Sequence, residues 1–136
     1  MEELRTLAKK ENLDDVMSVL GKVLRPVPIS QKEKTMLYLA AEEIFSNIAN
    51  YAYKGKSGKV VVRIGLSKEP KGIQLIFMDW GIPYNPLKAK EPDITLCAEK
   101  RKIGGLGIFM AKKSMDNIEY QYRDGCNILT AWKALE

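Results

Sequence analysis

Apolar residues in the first part of the chain recur at helical spacing. Leu13, Val16, Met17, Leu20 and Leu24 stand three or four residues apart, so a helix there would carry one continuous apolar face. Pro26 and Pro28 end it, because proline lacks an N–H and clashes with the turn before it. Ser30 is placed to cap a second, longer helix, and Glu33 three residues on completes a capping box. That helix is predicted to run to about Tyr53, where Lys54-Gly55 stops it. Leu37, Ala41, Ile44, Phe45, Ile48 and Ala52 share one side of it and should face the core. At roughly 100° per residue, Glu43, Asn47 and Asn50 fall in one narrow polar stripe.

The period then changes. Lys59 to Leu66 is rich in valine and isoleucine, and Ile73 to Met78 is almost continuously apolar, as a central strand would be. Glu69-Pro70-Lys71-Gly72 between them reads as the turn of an antiparallel hairpin. Leu4 to Leu7 reads as a short edge strand. From Gly81 to Gly105 the chain reads as a long loop with prolines at 83, 86 and 92, holding a short helical turn near Ile94 to Ala98. A loop of that length inside a compact domain is usually functional. A helix from about Leu106 to Met115 follows, then a last hairpin of Ile118 to Tyr122 and Ile128 to Trp132 around Asp124-Gly125. The predicted class is α+β: a two-layer sandwich with helices on one face of a mostly antiparallel mixed sheet. At 136 residues the chain is expected to form a single domain, 1–136, large enough to bury a core without covalent staples.

Composition removes several chemistries. There is no histidine, which excludes a phospho-accepting histidine, a histidine-based hydrolase triad and the common zinc hydrolase arrangements. Two cysteines, Cys97 and Cys126, are too few for a disulfide framework. No stretch approaches the roughly 20 apolar residues of a membrane span, and Met-Glu-Glu-Leu-Arg is not the start of a secretory signal; a cytoplasmic protein without a membrane partner is expected. The net charge of +5 raises nucleic-acid binding. Its lysines are spread along the chain without interleaved stacking aromatics, so no direct nucleic-acid partner is expected.

Chemistry must therefore run on carboxylates, amides, lysines, hydroxyls or a hard metal ion, and three segments offer it. The Glu43/Asn47/Asn50 stripe is either a solvated face or an oxygen-ligand site for magnesium and phosphate, since Mg²⁺ takes few protein ligands and completes its shell with water and phosphate oxygens. Asparagine is a mediocre helix former, and the stripe lacks the lysine partners of a solvated face. Asp79-Trp80-Gly81 is either a strand-ending turn or an acceptor for an exocyclic amine, with Gly81 letting a base approach the backbone. Gly104-Gly105-Leu106-Gly107 opens a helix, where backbone N–H groups and the helix dipole favour an anion, and Lys100, Arg101 and Lys102 stand just upstream. No Gly-Lys-Ser/Thr follows, so it is not a Walker A loop.

Taken together, Glu-x-x-x-Asn on a helix, a strand ending Asp-x-Gly and a long loop into a glycine-rich helix start resemble the GHKL ATPase superfamily, whose fold is the Bergerat sandwich. Within it the sequence resembles the bacterial anti-sigma factor serine/threonine protein kinases. The segments that carry the likeness are Glu42 to Tyr53, Asp79 to Pro86 and Ile103 to Ile108. The resemblance implies ATP and Mg²⁺ as cofactors, with Asn47 on the metal and Glu43 as the general base for a substrate serine. It implies that Asp79 reads the adenine amine above Gly81, with Asn50 also in the nucleotide site. Residues from about 84 to 103 would form a lid, and Gly104, Gly105, Leu106 and Gly107 would hold phosphate. Arg101 is the candidate for the lid arginine, with Lys102 as its rival. The implied partners are a sigma factor and an anti-sigma factor antagonist, and the implied assembly is a homodimer. The alternative is a non-catalytic, ATP-gated protein-binding module.

Overall fold

The computed structural model describes residues 1–88 and 105–135. The elements run β1 (Glu2–Leu7), α1 (Leu13–Leu24), α2 (Gln31–Asn47), β2 (Lys59–Lys68), β3 (Lys71–Asp79), α3 (Gly105–Ser114), β4 (Asn117–Arg123) and β5 (Cys126–Ala134). Short 3₁₀ turns at Lys10–Asn12 and Pro86–Lys88 and a π-helical turn at Ile48–Ala52 complete the path.

The strands form one sheet in the order β1-β2-β3-β5-β4, and each pairing is antiparallel. Period-2 alternation sends Val60, Val62 and Ile64 of β2, Ile73, Leu75 and Phe77 of β3, and Leu129 and Ala131 of β5 to one face. There they form a single core with Leu20 of α1, Leu37, Ala41, Ile44 and Phe45 of α2, and Ile108 and Ala111 of α3. The two-layer sandwich expected from the sequence is thus present, with its helices on one face.

Local chemistry explains most boundaries. Ser30 Oγ accepts the Glu33 N–H at 3.1 Å, which satisfies one of the free donors at the start of α2. The Glu33 carboxylate returns to the Ser30 hydroxyl at 3.2 Å rather than to its backbone. Asp124 and Gly125 both take positive φ (52° and 77°), the geometry of the two-residue turn joining β4 to β5. Lys54 and Gly55 do the same after the π turn (52° and 83°) and close the helical segment.

The expected second helix is helical to Ala52, but its last turn is wider. The Ile48–Ala52 turn is π-helical, so each residue advances by less than the ~100° of an α-helix. The predicted stripe of Glu43, Asn47 and Asn50 is broken as a result: Asn50 lags behind the direction of Asn47, and Tyr51 swings toward it. The expected turn at Ile94–Ala98 lies outside the described residues.

Candidate nucleotide site

β3 runs one residue past its apolar stretch and ends on Asp79. In the sheet register Asp79 stands between Val60 of β2 and Asn127 of β5, on the face that carries the core. Its side chain is almost fully buried, the residue being 5 % exposed. Two donors reach it, the backbone N–H of Gly81 at 2.9 Å and Asn127 Nδ2 at 2.9 Å, and both end on Oδ1. Oδ2 has no hydrogen-bond donor among the described residues. Burial pushes the Asp79 carboxyl above its ordinary range, and the bonds from Asn127 and Gly81 oppose that rise. A buried carboxylate with one oxygen fixed and one unserved is an acceptor waiting for a ligand donor.

A cavity opens beside it, enclosing about 460 Å³ of space, part of it open to solvent. Its floor is apolar: Ile44 and Ile48 from α2 and the π turn, Phe77 from β3, Ile108 from α3 and Leu129 from β5. Tyr51, Tyr84 and Tyr120 add aromatic walls, and Asn47, Asp79 and Asn127 are the polar residues of the lining. A mostly apolar pocket with a few placed polar groups suits a flat heterocycle that offers one donor.

Asn47 and Glu43 both belong to α2. Asn47 lines the cavity as the last residue of the α-helix. Glu43 stands one turn earlier, half-buried, outside the apolar wall. It has no hydrogen bond or ion pair among the described residues. Its carboxyl is held above the ordinary glutamate range, first by burial and then by the negative charge of neighbouring Glu42. A carboxylate free of partners with a raised pKa suits proton abstraction better than structural pairing.

Gly81 is positioned for a reason the sequence did not show. A Cβ there would lie 2.1 Å from the Ala52 carbonyl oxygen, and the next residue, Ile82, donates its N–H to that same oxygen at 2.9 Å. The glycine lets the π turn dock on the exit of β3. Gly81 itself is not part of the cavity lining; Ile82 is.

Of the other expected site residues, Asn50 is not brought to the cavity wall, for the geometric reason given above. Gly105, Leu106 and Gly107 form the first turn of α3. Arg101, Lys102 and Gly104, with most of the expected lid, lie outside the described residues.

Two residues that sequence reasoning missed hold the site together. Asn127, 6 % exposed, bonds Asp79, the carbonyl of Ile82 at 3.0 Å, the N–H of Tyr84 at 3.2 Å and the hydroxyl of Tyr120. Tyr53 donates its hydroxyl to the Lys59 carbonyl at 2.5 Å and accepts the Trp80 N–H at 2.8 Å, tying the end of the helical segment to β2 and β3. An asparagine inside a β pattern was the available signal, since strands are poor in that residue.

The sequence profile of the histidine kinase-like ATPase domain matches residues 6–133. The chain belongs to that family. Among its relatives, the serine/threonine-protein kinase BtrW of Bordetella bronchiseptica is 28% identical over 101 residues, covering 74% of this chain and 70% of that protein. The serine-protein kinase RsbW of Bacillus mycoides is 24% identical over 131 residues, covering 93% and 81%. A crystal structure of the RsbU and RsbW domains of a Mycobacterium tuberculosis protein superposes with a TM-score of 0.65 at 16% identity, over 99% of this chain and 33% of that one. The histidine kinase domain of an Erythrobacter litoralis blue-light activated kinase gives 0.56 at 12%, over 93% of this chain and 60% of that one. These two likenesses establish the ATPase-domain fold. The chain spans a third of the length of the first and three fifths of the second.

Proposed function

We propose that this chain is a protein serine kinase that binds Mg-ATP in the cavity beside Asp79 and transfers its γ-phosphoryl group to a serine of a protein substrate. The observation that carries the reading is the unserved Oδ2 of buried Asp79 at the wall of an apolar cavity. Its chemistry matches the exocyclic amine of adenine.

The donor set fits the metal as well. Among the described residues no group of three His, Cys, Asp or Glu could form a protein cage for an ion. Mg²⁺ does not need one, because it takes one or two protein oxygens and fills its shell with phosphate and water. The amide oxygen of Asn47 would be the protein ligand. When bound, the ion neutralises charge between the phosphates.

This chain's own groups do the rest. The apolar floor excludes water from the base, Asp79 fixes its orientation, and the first turn of α3 presents backbone N–H groups to phosphate. Gly104 and Arg101 belong to the same proposal from the segment just upstream. Glu43 accepts the proton of the serine hydroxyl as the new O–P bond forms and ADP leaves. Phosphoryl transfer asks for positioning and charge stabilisation rather than covalent catalysis, which suits a chain without histidine.

The names of BtrW and RsbW, serine/threonine and serine protein kinases, support this reading. With the resemblance stated above, they support a partner-switching role: a homodimer that sequesters a sigma factor and phosphorylates its antagonist. Among the described residues no helix is long and apolar enough to cross a membrane.

Phosphate transfer from labelled Mg-ATP to antagonist-type proteins of the same cell, by wild type and by Glu43→Ala, tests the reading. Label on serine that vanishes in the variant supports it. Nucleotide binding with no label from either protein would favour a nucleotide-gated binding module instead.

A further inference from the structure

Asn127 has an amide whose orientation is fixed by groups that cannot change role. The Tyr84 N–H can only donate, so it holds Oδ1 at 3.2 Å; the Ile82 carbonyl can only accept, so it holds Nδ2 at 3.0 Å. The Tyr120 hydroxyl donates to the same Oδ1. Nδ2 is therefore committed to the remaining neighbour, Asp79 Oδ1, at 2.9 Å. With the Gly81 N–H on the same oxygen, two obligatory donors favour the ionised carboxylate. They also fix its plane. Oδ2 is left as a pure acceptor beside the cavity.

We propose that Asn127 is the positioning residue for base selection: by holding Asp79 as an oriented, acceptor-only carboxylate, it makes the site take a 6-aminopurine and reject a 6-oxopurine. The proposal rests on the reading of the cavity as a purine site. An amine at position 6 donates to Oδ2. A carbonyl there sets two acceptors against each other, and a site built to receive a donor rejects a ligand that lacks it. Without the Asn127 bond the carboxyl is held by Gly81 alone, and burial, less opposed, shifts it further toward the protonated form. A protonated carboxyl donates to a 6-oxo group, so discrimination collapses. The other titratable groups around Asp79 are Tyr53, Tyr120 and Cys126, all held above their ordinary ranges chiefly by burial. They stay neutral in the mildly acidic to neutral range and do not confuse the effect.

The test is calorimetric titration of the full chain with Mg-ATP and with Mg-ITP, which differ at position 6. Wild type, Asn127→Leu and Asn127→Thr are compared, the last restoring a hydroxyl donor in a side chain suited to a strand. The ratio of the two affinities is taken within each preparation, so a partly unfolded fraction cancels. Wild type is expected to prefer ATP by roughly 10²-fold or more. In Asn127→Leu the ratio should fall to roughly tenfold or less, and its further decline on acidification should begin at a higher pH than the decline in wild type, because the Asn127 bond opposes protonation of Asp79. Asn127→Thr should recover most of the preference. Equal losses for both nucleotides in Asn127→Leu, with the ratio and its pH dependence unchanged, would overturn the proposal. Should that variant not fold, Asn127→Ala takes its place with the same expectation; failure of both to fold makes Asn127 a structural residue only and also overturns it. If wild type binds neither nucleotide, the purine reading fails. If wild type binds both alike, the selection proposal fails and that reading stands.

Discussion

Gly81 and Ala52 meet backbone to backbone: a methyl group on Gly81 would lie 2.1 Å from the Ala52 carbonyl oxygen. The contact joins the π turn that follows α2 to the exit of β3, so the elements carrying Asn47 and Asp79 are set against each other by a missing side chain. Since the obstacle is backbone, it cannot rotate away. Gly81→Ala is expected to lower unfolding free energy by about 1–3 kcal/mol and to weaken Mg-ATP binding, measured by urea denaturation and calorimetry. Unchanged stability and affinity would show that the contact does not set the geometry.

Glu43 carries a prediction about pH. A general base works only when ionised, and the Glu43 carboxyl is held up by burial and by the charge of Glu42. Activity should therefore fall on the acid side at a pH above the ordinary glutamate range. Glu42→Gln removes the repulsion and lowers the Glu43 pKa, so the acid limb of the rate profile should move to lower pH. Glu43→Gln should lose roughly 10²- to 10⁴-fold in transfer rate while binding Mg-ATP as before. A Glu43 variant with full transfer activity would remove the residue from the mechanism.

Asp79 links function to stability in opposite directions. Its folded pKa is raised, so the native state disfavours the ionised form. Stability from this group is greatest below the ordinary aspartate pKa and declines as pH rises toward the folded value. Asp79→Asn can still accept from Gly81 and Asn127 but carries no buried charge. The variant is therefore expected to be at least as stable as wild type at neutral pH, and the two melting curves should converge as the pH is lowered. A variant clearly less stable at neutral pH would contradict this assignment.

Tyr53→Phe deletes the hydroxyl that bridges the Lys59 carbonyl and the Trp80 N–H. Leaving those two backbone groups without their partner is expected to cost about 1–3 kcal/mol, read as a lower melting temperature.

Much of this architecture was legible in the sequence because its determinants are local. Ser30 and Glu33 mark a helix start whatever lies elsewhere, and Asp124-Gly125 fixes the last hairpin by its φ requirements alone. Asp79 was legible because a carboxylate directly after an apolar run is conspicuous. Asn127 was not, because its role depends on β5 pairing with β3 across 48 residues of chain, and no local pattern encodes that register. The π turn escaped for a different reason. Its residues, Ile48 to Ala52, are ordinary helix residues in composition, and the partners that the turn meets, Gly81 and Ile82, lie far along the chain. Of the two asparagines that helical periodicity put in one stripe, Asn47 precedes the change in pitch and lines the cavity, and Asn50 follows it and does not.

The most direct measurement is titration of wild type and Asp79→Asn with Mg-ATP by calorimetry, on samples shown by circular dichroism to be equally folded. Wild type is expected to show saturable binding that depends on Mg²⁺, weakened by roughly 10- to 100-fold in the variant through loss of a hydrogen bond to a charged acceptor. Equal affinity in the two proteins, or no binding to wild type, would contradict it.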